Sequence, residues 1–378
     1  MKRRDFNIGL GAMGLGAMGL GVAGAAAPFA ARADVNWAPA GAGRGVSDLD
    51  AAWARATSGA IPALGQTDAF LVLWNGALVY ERYGPDGGQD VRHVSWSMAK
   101  SITQALIGIA VGDAVVDIDQ PLRTPHKGDP GLTLRHLITL TDGLAWNEGD
   151  YDPARSDATR MLYGEGRFDG AAYVAAKPQE VPPGTRWRYS TGAFHLAAAE
   201  LQANLFPDAK TAERRRAAMT DWMRRRLFAP IGMTSAVPEF DAAGTFVGGS
   251  LLYATARDFA RFGELYRTQG IWDRRQVLPE GWVAFARRRT LQQAYGAGWW
   301  LEAKAGNSEA SLMGGAGPMD AMSAQGHNGQ VILVVPSKGA VVVRLGLMDD
   351  GPAAWEALGK WLTPMVGAMP DRTSPFQG

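Results

Sequence analysis

The chain has 378 residues, 47% of them hydrophobic, and a formal net charge of +1. That length and apolar share suffice for one large core or two intimate ones, and so small a charge sets up no global field to recruit nucleic acid or an anionic membrane. There is no cysteine, which excludes disulfides, thiol catalysis, cysteine-bound zinc and iron–sulfur clusters.

Residues 1–33 read as a targeting segment and not as part of the fold. "MKRRDFNIGLGAMGLGAMGLGVAGAAAPFAARA" has a basic start, an apolar middle and a small-residue end at Ala31-Arg32-Ala33. Arg3-Arg4 followed by Asp5-Phe6 resembles a twin-arginine export signal. That reading predicts a mature chain from about Asp34 in the periplasm or outside the cell. An uncleaved anchor is the alternative. The middle is rich in Gly and Ala where a spanning helix wants Leu, Ile and Phe, so no stable membrane span is expected once the signal is removed.

A short helix is predicted at Leu49–Ala56. Two β-rich runs, Phe70–Trp74 and Ala77–Tyr83, flank Asn75-Gly76, the strongest short hairpin signal. "SMAKSITQALIGIAVGDAV" reads as a helix over Ser97–Val111, apolar all round and so buried. Further helices are expected at Leu134–Thr141, Asp157–Leu162, Gly170–Ala176, Phe194–Leu205, Ala212–Leu227 and Ala256–Gln269. The arginine triplets at 214–216 and 224–226 read as a solvated face, with a nucleic-acid patch disfavoured by the neutral net charge. "GQVILVVPSKGAVVVRLG" is a second hairpin, turning at Pro336-Ser337-Lys338-Gly339, and a last helix is predicted at Ala353–Val366. Strands, a helical block, then strands again indicate an α+β fold. Its α/β part comes from both ends, about 34–112 and 241–378, with a mostly helical part at about 113–240 inserted.

Ser97 and Lys100 stand at i and i+3, on one face of a helix and within reach of each other. A serine hydroxyl is a weak nucleophile until something takes its proton. A lysine can take it only when neutral, and burial favours the neutral amine. A helix N-terminus at Ser97 adds backbone N–H groups that favour an alkoxide. Alone, the same letters also describe a capping serine beside a snorkelling lysine. "PPGTRWRYSTGAFHLAAAEL" puts Tyr189 at the mouth of another helix, where a phenol can shuttle a proton or simply cap as a half-buried aromatic. "SAQGHNGQVILVV" carries small residues into a strand, as a close substrate approach requires and as a plain turn also would. The histidines show no zinc-ligand spacing, and there is no phosphate-binding P-loop or G-x-S-x-G elbow. No metal or cofactor is expected.

These strings in this order resemble the serine β-lactamase and penicillin-binding protein superfamily. The nearest likeness is to class C β-lactamase-related hydrolases, including esterases and 6-aminohexanoate-dimer hydrolases. "SWSMAKS", "LTLRHLITLTDGLAWNE", "PPGTRWRYS", "LFAPIGM", "GGSLLYATARDFARFGELY", "LPEGWV" and "YGAGWW" carry the resemblance over roughly Phe70 to Leu362. It implies a β-lactamase/transpeptidase-like fold: an antiparallel sheet flanked by helices, plus a helical part, with the site between them. It implies Ser97 as nucleophile, Lys100 and Tyr189 sharing the acid–base work, and an oxyanion hole from the backbone N–H groups of Ser97 and Gln330. The substrate would meet His327, Asn328 and Gly329, with Trp146, Tyr151 and Trp299 as wall candidates. The family's second motif is commonly Tyr-x-Asn, whereas Thr191 stands here in place of the asparagine. Its third is commonly Lys-Thr-Gly, whereas His327-Asn328-Gly329 stands here. Both departures touch recognition, so an ester or small amide is the expected substrate. A β-lactamase or D,D-peptidase is the alternative enzyme, and a non-catalytic binding protein the alternative outside enzymes.

Overall fold

The computed structural model describes residues 46–149, 152, 154–304 and 311–371. Residues 1–33, read above as an export signal, and the wall candidate Tyr151 lie outside the described residues. The chain opens with α1 (Val46–Thr57), then β1 (Gln66–Trp74) and β2 (Ala77–Tyr83), hinged at Asn75-Gly76 with both residues at positive φ. After β3 (Arg92–Val94) a tight 3-10 turn, Trp96–Met98, leads into α2 (Ala99–Gly112). The helix thus begins two residues after Ser97, which sits in the turn. The helical block holds α3 (Leu134–Ile138), α4 (Asp157–Tyr163), α5 (Gly170–Ala175), α6 (Thr191–Leu205) and α7 (Ala212–Met223). The last of these widens into a π-helical turn at Arg224–Phe228, so the helix expected over Ala212–Leu227 is not uniform. Then come β4 (Val237–Pro238), β5 (Leu252–Thr255), α8 (Ala256–Arg267), the short pair β6 (Ile271–Trp272) and β7 (Arg275–Gln276), and α9 (Trp282–Ala286). The chain closes with β8 (Trp300–Leu301), β9 (Met322–Gly326), β10 (Gln330–Val335), β11 (Ala340–Leu347) and α10 (Pro352–Ala368).

The main sheet runs β2-β1-β11-β10-β9-β8, with every pairing antiparallel. Its central strands are apolar at consecutive positions because both faces are covered. Leu71, Leu73, Ile332, Val334, Val341 and Val343 face a core shared with α2, α6 and α8. Phe70, Val72, Val331, Leu333 and Val342 face a second core under α1 and α10. Helix α8 lies close on the sheet at Gly263, where a Cβ would stand 2.6 Å from Val341 Cγ1. The architecture is therefore α+β, with chain ends building the sheet layers and the central stretch packing its helices against α2.

Candidate active site

Ser97 is carried on a turn fixed from behind by Ser95, which is fully buried. The Ser95 amide donates to the Leu252 carbonyl at 2.7 Å, and its hydroxyl accepts from the Leu252 amide at 3.1 Å. On the other side, Gly326 at the end of β9 is so close that a Cβ would lie 2.3 Å from the Ser95 carbonyl oxygen. Between Ser95 and Ser97, Trp96 holds φ at +43°. A bulky side chain rarely adopts that conformation, and such outliers cluster at functional sites.

Lys100 is 2% exposed, in the first turn of α2. Its ammonium makes three hydrogen bonds: to Ser97 Oγ at 2.9 Å, to Thr191 Oγ1 at 2.9 Å and to the Gly249 carbonyl at 2.8 Å. An ammonium has three donors, so all are used. Burial pulls Lys100 down to about 8, with the charge of Glu148 opposing the shift. The Gly248-Gly249 pair makes the approach feasible. A Cβ on Gly249 would lie 2.4 Å from the Thr191 carbonyl, and one on Gly248 2.6 Å from Thr103 Oγ1.

Tyr189 ends the extended segment before α6, whose N-terminus is capped by Ser190 through the Ala193 amide at 2.9 Å. Lys100 Nζ stands over the Tyr189 ring, 4.7 Å from its centroid. The ring's outer side stacks on Trp300 at 5.7 Å. Thr191, in the asparagine position, is not a bystander. Its hydroxyl accepts from Lys100 and donates to Glu148 Oε1, while its amide donates to Glu148 Oε2 at 2.6 Å. The Trp146 indole N–H also donates to Glu148 Oε2, at 2.7 Å.

Two wall candidates have other places. Trp299 is fully buried, packed on Phe262 and Tyr266 in the core. Neighbours entering a strand point to opposite sides, so its successor Trp300 is the one that faces Tyr189. Trp146 is 6% exposed and serves Glu148 from beneath.

In the third motif, His327 packs edge-on against Trp96 at 5.2 Å. Its Nδ1 lies 2.6 Å from Asp350 Oδ2. An ionised carboxylate only accepts, so Nδ1 carries the proton. Asn328, at φ +61°, donates its amide to Asp350 Oδ1 at 3.2 Å. Gly329 is buried, at φ +77°, beside Met348 and Arg344. The Arg344 guanidinium is fully buried and donates to the carbonyls of Leu64, Gln66, Asn328 and Gly329. Burial lowers it to about 10, so it stays charged at neutral pH. Gln330 opens β10 opposite Gly326, and its side chain donates to the carbonyls of His327, Asn328 and Gly346. Asn328 and Gly329 thus shape the turn, and His327 is the member that reaches Trp96, the residue before Ser97. Glu148 and Asp350 carried no functional reading in the sequence. Glu148 sits within the quoted string "LTLRHLITLTDGLAWNE", but its partner is 43 residues away. Among the described residues, no group of three or more His, Asp or Glu could hold a metal ion.

The loop that delivers Glu148 contains a buried acid, Asp142, which accepts from the Leu144 amide at 3.0 Å. Burial pushes its carboxyl up to about 6, above an unfolded value near 3.9. An acid shifted upward costs stability once it must ionise. The penalty is fully present above about pH 6 and fades as pH falls toward 4. Asp142→Asn is therefore expected to stabilise the protein by about 2–3 kcal/mol at pH 7 and to change little at pH 4. Urea unfolding at both pH values measures it; equal destabilisation at both would refute the assignment.

An antiparallel sheet covered on both faces, a helical block against α2, and a serine hydrogen-bonded to a buried lysine three residues on define a β-lactamase-fold serine hydrolase. The β-lactamase family model matches residues 62–347, and the chain belongs to that family. It is 25% identical over 306 residues to the 6-aminohexanoate-dimer hydrolase of Paenarthrobacter ureafaciens, covering 75% of this chain and 73% of that protein. A putative 6-aminohexanoate-dimer hydrolase from Bacillus anthracis superposes with a TM-score of 0.61 at 22% identity, over 79% of this chain and 78% of that one. A solved hydrolase with promiscuous acyltransferase activity superposes with a TM-score of 0.64 at 16% identity, over 85% and 98% of the two chains.

Proposed function

We propose that this chain cleaves esters and small linear amides through an acyl-enzyme on Ser97. The observation that carries the reading is the contact of Lys100 Nζ with Ser97 Oγ inside a site that draws the lysine toward neutrality. Neutral Lys100 takes the Ser97 proton as Oγ attacks the carbonyl carbon, and Tyr189 passes a proton to the departing alkoxide or amine. Water then repeats the steps in reverse roles and frees the acid. The backbone N–H groups of Ser97 and Gln330 hold the oxyanion, a contribution of about 3–4 kcal/mol per donor in such sites.

The rival β-lactam reading is disfavoured by what occupies the recognition positions. A lysine in the third motif would offer a fixed cation to a ligand carboxylate; His327 instead commits Nδ1 to Asp350. An asparagine in the second motif would hold an amide side chain; the Thr191 hydroxyl is already spent between Lys100 and Glu148. Each lost polar contact costs about 1–3 kcal/mol of recognition. The expected result is ready hydrolysis of a short-chain p-nitrophenyl ester and weak turnover of a chromogenic cephalosporin, compared as kcat/KM. A cephalosporin value equal to or above the ester's would put the β-lactamase reading first.

A further inference from the structure

A base that must receive one particular proton needs its lone pair aimed at that proton. Neutral Lys100 has two N–H donors and one lone pair, and three neighbours to share them among: Ser97 Oγ, Thr191 Oγ1 and the Gly249 carbonyl. The carbonyl only accepts, so it takes one N–H. The two hydroxyls are equivalent in principle, since either can donate or accept. Glu148 removes the ambiguity. Its carboxylate has no proton to give and already accepts from the Thr191 amide and the Trp146 indole, so the Thr191 hydroxyl must point its own proton at Glu148.

We propose that Glu148 is a positioning residue for acyl transfer: by taking the Thr191 proton it makes that hydroxyl an acceptor toward Lys100, which leaves the amine's lone pair to Ser97. This rests on the serine-hydrolase reading above. The same carboxylate sets the charge around the base. Lys100 is faced by Ser97 from its own turn, by Tyr189 and Thr191 around the start of α6, and by the Gly249 backbone. Glu148 lies one hydrogen bond further out, where it opposes the effect of burial on Lys100 and adds to the rise that burial gives the Tyr295 phenol. Arg188 approaches the same loop at the Trp146 carbonyl, with its charge paired to Glu180.

The chemistry of Glu148→Gln makes the proposal sharp. The amide oxygen can still accept from Thr191 N and Trp146 Nε1, but its NH2 group then faces Thr191 Oγ1 as a donor. The Thr191 proton is turned toward Lys100 and competes with Ser97 for the lone pair. Ester kcat is expected to fall at least about 10-fold with KM changed less than about threefold, the scale of a lost acid–base alignment. Thr191→Val is expected to cost a similar factor and Thr191→Ser to restore most of it. In the Thr191→Val background, Glu148→Gln should cost little more, because the two act as one unit.

A second readout needs no turnover. The titration of Lys100, followed by NMR of protein labelled with 13C-lysine, should move down by about one pH unit in Glu148→Gln, the size expected when a nearby opposite charge is lost. Additive losses in the double variant, or a Lys100 midpoint that does not move, would overturn the proposal. A merely structural Glu148 would lower the melting temperature and leave that midpoint in place. Should the wild-type protein hydrolyse neither ester nor amide, the functional reading falls, and an unmoved midpoint would still overturn the proposal.

Discussion

Ser97→Ala is expected to lower ester turnover by at least about 10⁴-fold, since an acyl-transfer enzyme without its nucleophile keeps only binding and oxyanion stabilisation. The fold should survive. The turn is anchored by Ser95 through Leu252 and by Gly326 on β9, and neither anchor uses the Ser97 hydroxyl. What is lost structurally is one of three acceptors for a buried ammonium, a cost of about 1–3 kcal/mol. A short pulse of p-nitrophenyl ester followed by acid quench and peptide mass spectrometry should place an acyl group on Ser97 in the wild-type protein and nowhere in the variant. An adduct on any other serine would sink the assignment.

The second large effect concerns the relay. Lys100→Met keeps most of the buried volume while removing the amine, and Tyr189→Phe removes only the phenolic hydroxyl. Each is expected to cut kcat by at least about 100-fold, the scale of general acid–base catalysis, and the double variant should be little worse than the poorer single one. The wild-type profile carries the sign. Ammonium cannot accept a proton, so kcat/KM should rise with pH through about 8, the value to which burial brings Lys100, and level off above it. Additive losses, or a profile flat from pH 6 to 9, would argue against Lys100 as the base.

Much of this site could be read from the chain because its parts are local. Ser97 and Lys100 are three residues apart on one turn, and Tyr189 stands beside a helix cap whose residues are contiguous. The two central hairpins announced themselves through Asn75-Gly76 and Pro336–Gly339, and both form. Short strands were not visible. β3, β5, β8 and β9 are three to five residues or fewer, too brief for a period-two pattern to emerge. Contacts made by folding alone were equally hidden. Nothing near Glu148 in the sequence points to Thr191, and nothing near His327 points to Asp350. The exchange of Trp299 for Trp300 is a one-residue phase error, which in an extended segment reverses the face. The export reading of residues 1–33 and the wall role of Tyr151 remain expectations from the sequence.

Arg344 bears on when in the chain's synthesis the candidate site can be complete. Its guanidinium joins the Leu64 carbonyl, 280 residues earlier in the chain, to the carbonyls of the turn that follows β9. The strand that carries it, β11, is the last of the sheet and sits between β1 and β10. Ser97 in its turn and Lys100 at the start of α2 are therefore synthesised long before the strand that braces the turn at His327–Gly329. At roughly 5–20 residues per second, the ribosome takes tens of seconds to supply the missing strand. On the acyl-enzyme proposal, the site is therefore complete only once the first and last strands of the sheet have met.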